Sequence, residues 1–143
     1  MNSLSRFRIV VRPAAEGDLS TLATFIQPFV EDQKLLPRTS CELEDLIECG
    51  FVAVAEGRII GFSALEVYSS KLAEIRSLAV LPDWQGRGIG KQLVEACVAR
   101  ARERNILEVM AITSTETFFR ACGFDFTLPG EKKALFFQTR EKG

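Results

Sequence analysis

The chain has 143 residues, with 18 Lys+Arg against 19 Asp+Glu, four Cys and no His. This length fits a single domain spanning 1–143 and buries roughly two-thirds of the unfolded surface. The composition, 47% apolar and 26% charged, is that of an ordinary globular chain rather than a disordered one. Without histidine there can be no Ser-His-Asp triad, Cys-His pair or HExxH zinc site. Proton transfer near neutral pH therefore falls to a carboxylate, a water, a thiol, a hydroxyl or the lone tyrosine. Cys41, Cys49, Cys97 and Cys122 form no CxxC and lack metal-ligand spacing, so reduced, mostly buried thiols and no metal are expected. Balanced charge and a pI of 5.6 argue against a nucleic-acid partner. No run of ~18 apolar residues spans a membrane. The N-terminal MNSLSRFRIVVRP lacks the features of a signal peptide, so a cytoplasmic location is the expectation.

In chain order, Phe7–Arg12 reads as a strand closed by Pro13. From Glu16 to about Gln33 the period turns helical, with Leu19, Leu22, Ala23, Ile26 and Val30 on one face and Pro28 expected to kink or split the helix. Thr39 and Glu42 form a capping box that opens a second helix, which runs to about Glu48. Phe51–Glu56 and Arg58–Val67 read as a hairpin turning at Gly57. Ala73–Val80 is the next strand, ended by Pro82. An amphipathic helix comes after it, from about Gly88 to Arg104, burying Ile89, Leu93, Ala96, Cys97 and Ala101. Leu107–Ile112 is a strand, and Thr115 to about Cys122 is a short helix closed by Gly123. Phe124–Phe126 and Ala134–Phe137 read as final strands. Consecutive strands imply an antiparallel meander, and the strand-helix-strand unit from 73 to 112 implies a parallel crossover. The fold class is α/β, a mixed, mostly antiparallel sheet flanked by helices.

The segment Gln85-Gly86-Arg87-Gly88-Ile89-Gly90-Lys91 is the most informative in the chain. Its glycines permit a tight backbone, and it opens a long helix whose first amides lack internal partners. Such a helix start attracts a phosphate or pyrophosphate, and Arg87 and Lys91 add positive charge. A glycine-rich turn without a ligand is the alternative. A Walker A loop fits badly, because Gln85 stands where its first Gly belongs and Gln92 where its Ser or Thr belongs. A dinucleotide GxGxxG also fails, with Lys91 in the last Gly position and the loop more than halfway along the chain.

A third match is better. Gln85–Gly90 resembles the Q/R-x-x-G-x-G/A motif of the GCN5-related N-acetyltransferases (the GNAT family). The preceding Leu78–Pro82 looks like that family's fourth strand, and Phe118-Phe119-Arg120-Ala121-Cys122-Gly123-Phe124 resembles its short helix ending in Gly-Phe. The resemblance covers nearly the whole chain. It implies a sheet splayed at the fourth and fifth strands, about four helices, and acetyl-CoA as cofactor. Pyrophosphate would sit on the amides of Gln85, Gly86, Arg87, Gly88, Ile89, Gly90 and Lys91. Pantetheine would pair with Leu78, Ala79 and Val80, beside Phe119. An amide near Leu78 would polarise the thioester carbonyl, a donor that can contribute roughly 3–4 kcal/mol.

Acetyl transfer needs a neutral amine, and a carboxylate usually takes the proton. Glu74 is the first choice, with Glu66 on the neighbouring strand as the other candidate. Glu74 is equally readable as a solvated strand-end glutamate paired with Arg58 or Arg76. Where many members carry an acidic Tyr, this chain has Phe119, and its only tyrosine, Tyr68, lies in what reads as a distant loop. Thr113, Ser114, Thr115 or a water stand as substitutes. Leu35–Thr39, Ala111–Thr115 and Phe118–Phe124 also resemble the acetyltransferase domain of bacterial N-acetylglutamate synthases. That domain is usually fused to an amino-acid-kinase-like domain without counterpart in these residues.

This branch implies an acidic amino acid held by Arg38. Ser77 and Leu78 would supply backbone contacts, Thr113 would stand at the acceptor, and Thr115 would take a hydroxyl role. Arg38 also reads as a loop arginine capping a helix or sitting in water. The branch's second substrate arginine is replaced here by Ser114, for which Arg76 is a candidate substitute. The leading expectation is transfer of acetyl to a small-molecule amine, such as the α-amine of glutamate or another amino acid, by a monomer or homodimer. The alternatives are another amine (a protein lysine or N-terminus, a polyamine, an antibiotic) or a non-catalytic acyl-CoA-binding module.

Overall fold

The computed structural model describes residues 8–126, 130 and 134–139. Strand β1 (Val10–Pro13) is followed by a 3-10 turn at Glu16–Asp18, then α1 (Leu19–Glu31) and α2 (Ser40–Glu48). The meander β2 (Gly50–Ala55), β3 (Arg58–Val67) and β4 (Leu72–Val80) comes next, then a 3-10 turn at Pro82–Trp84, α3 (Ile89–Glu103), β5 (Glu108–Met110) and α4 (Glu116–Ala121). The five strands form one sheet in chain order. Pairings from β1 to β4 are antiparallel and β4–β5 is parallel, so the α/β mixed-sheet expectation holds.

The sheet is covered on both faces, which its alternating side chains allow. Leu22, Phe25, Ile26 and Phe29 of α1 and Leu43, Leu46 and Ile47 of α2 pack with Val52, Phe62 and Ala64 on one face. Ile89, Leu93, Val94, Cys97 and Ala101 of α3 pack with Phe51, Ala53, Leu65, Ala73 and Ile75 on the other. The capping box holds as expected: Glu42 N donates to Thr39 Oγ1 at 3.2 Å, and Thr39 N donates to Glu42 Oε1 at 3.0 Å.

Two expectations fail. Of the kink or split expected at Pro28, the split does not occur: α1 runs through to Glu31, because buried Phe25, Ile26 and Phe29 hold both sides to the sheet. Phe124–Phe126 and Ala134–Phe137 form no strand. A strand needs a ladder partner, and among the described residues β5 pairs only with β4. Leu135, Phe136 and Phe137 are 90%, 67% and 90% exposed. Phe7 lies outside the described residues. Among the described residues no helix is long and apolar enough to cross a membrane.

Two irregularities in β4 break the regular sheet. Its pairing with β5 covers only Leu72 to Glu74 against Glu108 to Met110, so the edge from Ile75 to Val80 has no strand neighbour among the described residues. Its register against β3 jumps between Phe62↔Ala79 and Ala64↔Arg76, so Ser77 and Leu78 together oppose Ser63 alone. That is a β-bulge, and Ser77 occupies its left-handed position with φ +57°. The bulge reverses the alternation. Ala73 and Ile75 before it, and Leu78 and Val80 after it, all pack toward the α3 side.

Candidate active site

The strand-to-helix loop is built to leave polar backbone groups open. Leu81 N donates to Ile60 O at 2.9 Å, so by ladder alternation Val80 turns its N–H and C=O away from β3, toward the splay. Gln85 Nε2 donates to Val80 O at 3.0 Å and ties the loop to the strand end. Gly86 and Gly88 both have φ +79°, a backbone that L side chains rarely adopt, and a Cβ on either would meet nothing within 4 Å. Gly88 caps the fifteen-residue α3, whose first ladder bond runs from Gln92 N to Gly88 O at 3.1 Å. The first-turn amides after Gly88 have no partner inside the helix and stand at the positive end of its dipole, a fit for a diphosphate.

Arg87 stacks on Trp84, its guanidinium 5.3 Å from the ring centroid, and Lys91 is exposed. Ile89 is 1% exposed and packs into the core beneath α3. Gly90 answers a different need: a Cβ there would lie 3.3 Å from Phe118 Cζ, so it is small because α4 packs against it. Leu78, Ala79 and Val80 lie along the open edge of β4, and by the same alternation Val80 turns its backbone outward while Ala79 turns its own toward Phe62 of β3.

The carboxylates gather on the α1/α2 side of β3 and β4. Glu66 and Glu74 are cross-strand partners. Arg76 Nη1 lies 2.8 Å from Glu66 Oε2 and 3.6 Å from Glu74 Oε1. Burial works against the Arg76 charge, but Tyr68, Glu74 and Glu66 outweigh it and raise its pKa. Glu74 is 6% exposed, so the strand-end reading as a solvated glutamate fails. Arg76 is engaged by both carboxylates and is not a free clamp for a substrate.

Tyr68 joins this cluster: its hydroxyl donates to Glu74 Oε1 at 2.5 Å, because the turn at 68–72 folds back, with Tyr68 N donating to Leu72 O at 3.0 Å. Burial first, and the Glu74 contact second, push the phenol up to about 12. Tyr68 and Glu66 are the members of this cluster that sequence reasoning left aside or ranked second. The period-two spacing of 66 and 68 was the available signal.

Arg38 immediately precedes the cap of α2. Its side chain is only 12% exposed, Nη1 lies 3.9 Å from Glu42 Oε2, and Nε is buried without a hydrogen-bond partner. A cavity of about 310 Å³ is lined by Arg38, Glu42, Leu65, Glu66 and Arg104, among others, and thus joins Arg38 to the carboxylate cluster.

Thr113 and Thr115 lie elsewhere. Their hydroxyls are 2.9 Å apart and exposed, on the connection from β5 to α4. Thr113 and Phe119 line a second cavity, of about 510 Å³, which shares no lining residue with the Arg38 cavity. Phe119 is 8% exposed and packs edge-on against Phe118 and Phe124, with centroids 5.1 and 5.3 Å away, so it is core at the position of the family's acid.

A splayed mixed sheet with a bulged fourth strand, an open glycine loop on a helix start and a buried carboxylate one strand-turn away defines an acyl-transfer fold. The chain belongs to the acetyltransferase (GNAT) family, whose profile matches residues 18–124. It is an acetyl-CoA-dependent N-acetyltransferase. It is 36% identical over 114 residues, 80% of this chain and 74% of the relative, to an uncharacterized N-acetyltransferase of Chlorobaculum tepidum. It is 35% identical over 134 residues to the amino-acid acetyltransferase of Pseudomonas fluorescens, covering 89% of this chain and 31% of that protein. Among solved structures, N-acetylglutamate synthase of Neisseria gonorrhoeae complexed with coenzyme A and N-acetyl-glutamate superposes with TM-score 0.77 at 30% identity, over 87% of this chain and 30% of that one. The chain thus spans under a third of the amino-acid acetyltransferase and of the synthase chain. An aminoglycoside N-acetyltransferase, with TM-score 0.71 at 21% identity, shares the fold alone.

Proposed function

We propose that this domain acetylates the α-amine of an amino acid, with Glu74 as the base and Arg38 holding the acceptor's carboxylate. The observation that carries this is the Arg38 guanidinium, buried with an unpartnered Nε and opening onto the cavity it shares with Glu66. A buried donor without a partner costs stability, and a substrate carboxylate would satisfy it. The relatives named amino-acid acetyltransferase support the same class of acceptor.

Bound acetyl-CoA supplies the acetyl group as an activated thioester. The amides from Gln85 to Lys91 hold its diphosphate, and the open edge of Leu78, Ala79 and Val80 offers backbone pairing. Leu78, at the bulge, is placed to give the thioester carbonyl an amide donor, and Ser77 offers backbone contacts to the acceptor. Glu74 removes the proton that an ammonium must lose before attack. No tyrosine stands at position 119, and a leaving thiol with a pKa near ~8.5 makes a strong acid dispensable. Thr113 and Thr115 offer exposed hydroxyls on the connection from β5 to α4, outside the Arg38 cavity.

The test is a thiol-release assay with acetyl-CoA against all amino acids, with glutamate and aspartate run first beside their neutral amides. Turnover should appear with at least one of them. The loss of one charge-assisted contact, ~1.5–3 kcal/mol, should raise the acceptor KM of Arg38→Ala by roughly 10-fold or more and leave the KM for acetyl-CoA nearly unchanged. Thiol release with protein lysines or polyamines but no amino acid would overturn the proposal. Acetyl-CoA binding without turnover on any amine would reduce the domain to a binding module.

A further inference from the structure

Two carboxylates directly opposite on neighbouring strands repel one another, and Glu66 and Glu74 stand in that relation. Two groups hold them there. Arg76 binds Glu66, and Tyr68, the only tyrosine in the chain, stands between the two acids. The Tyr68 hydroxyl is 2.5 Å from Glu74 Oε1, 3.3 Å from Glu66 Oε2 and 3.4 Å from Arg76 Nη1. The three groups differ in access to water: Glu74 is 6% exposed, Tyr68 is 49% exposed, and the Glu66 side chain is 39% exposed. A buried acid is thus connected to a half-open one through a single hydroxyl.

We propose that Tyr68 is a proton conduit, carrying to Glu66 and then to water the proton that Glu74 takes from the acceptor amine. The proposal rests on the reading of Glu74 as the base. A base that cannot shed its proton works once, and burial slows exchange with solvent. Ionised Glu74 accepts the phenolic hydrogen bond. Protonated Glu74 becomes the donor to the phenol oxygen, which frees the phenol's own proton to point at Glu66 Oε2. The transfer then balances. The O–H bond at Glu74 breaks as one forms at Tyr68, while the original Tyr68 O–H breaks as one forms at Glu66. The phenol stays neutral throughout, and Glu66 passes the proton to water. Arg76, 2.8 Å from Glu66 Oε2, keeps Glu66 in place as the acceptor.

Tyr68→Phe removes the hydroxyl and keeps the ring. With an amino acid that the wild type acetylates, kcat at low buffer concentration should fall at least ~10-fold, with both KM values unchanged. Added imidazole, an external proton acceptor in a chain without histidine, should restore kcat in a concentration-dependent way and leave the wild type unaffected. Glu66→Gln blocks the same path on the solvent side and should show the same buffer-dependent loss, which secures the test should the first variant fold poorly. Circular dichroism and acetyl-CoA affinity report folding. Wild-type kcat in Tyr68→Phe, or a loss that buffer does not relieve, would overturn the conduit. Glu74→Gln separates the two readings. If it is inactive while Tyr68→Phe is fully active, only the conduit falls. If it is itself fully active, the base assignment falls as well.

Discussion

At the scale of single residues, the loop glycines divide into two kinds. Gly88 is required by its own backbone, with φ +79° and open space beyond, whereas Gly90 is required by a neighbour, Phe118. The first kind leaves room for the proposed diphosphate, and the second is packing. Gly88→Asp adds backbone strain of roughly 1–2 kcal/mol and a negative charge beside the helix start. Its affinity for acetyl-CoA should fall by at least ~10-fold, measured by titration calorimetry, and Gly88→Ala, with strain but no charge, should lose less. Unchanged affinity in Gly88→Asp would remove the diphosphate from this loop. The glycine loop was legible in the sequence because its function is local, a matter of φ angles and a helix start. Tyr68 was not, because its contact to Glu74 exists only once the turn at 68–72 closes.

At the scale of elements, α1 shows tertiary burial outweighing a local rule. A proline inside a helix costs ~3 kcal/mol, while each large apolar side chain fully buried contributes about 1.5–3 kcal/mol. Four such side chains, Leu22, Phe25, Ile26 and Phe29, hold α1 in place, so the helix passes through Pro28. The entry to α1 is held electrostatically. Arg12 of β1 donates to Asp18 Oδ2 at 2.8 Å and Oδ1 at 3.0 Å, and Ala15 N adds a third bond at 2.8 Å. The Arg12 contact above all keeps the Asp18 carboxyl below its ordinary pKa, against some burial. Its folded pKa is therefore the lower one. The stabilisation is full above the unfolded pKa, near 4, and disappears as pH falls through the folded value. Asp18→Asn should cost about 1 kcal/mol at neutral pH by urea unfolding, and the difference should vanish in acid below that range. A difference that is constant with pH would mean the loss is packing rather than charge.

At the scale of the whole molecule, a sheet covered on both faces dictates which thiols reagents reach. Cys97 lies under α3 at 0% exposure, with Ser63 Oγ 3.2 Å from its sulfur, and burial pushes its thiol up to about 11. Cys49 is also buried, Cys122 is half-buried and Cys41 is exposed. A thiol reagent on the native protein should label Cys41 quickly and Cys122 slowly. Cys49 and Cys97 should react only through global opening. Mass spectrometry of the labelled peptides reads this directly, and rapid native labelling of Cys97 would contradict the packing of α3 on β3.

The sequence by itself determined the order of elements, the capping box at Thr39, the glycine loop and, through its resemblance, the family. Each of these is written in neighbouring residues, where period, caps and φ preferences act without the rest of the chain. Only the tertiary structure decided that Glu74 is buried, that Arg76 is already occupied by Glu66 and Glu74, and that the Nε of Arg38 is buried and unpartnered. It also decided that residues 134–137 form no strand. Those facts depend on register and on which strand lies beside which, and a one-residue bulge at Ser77–Leu78 suffices to redirect a whole face. The missing histidine therefore narrows the groups available for proton transfer, and cross-strand geometry is what brings Glu66, Glu74 and Tyr68 together.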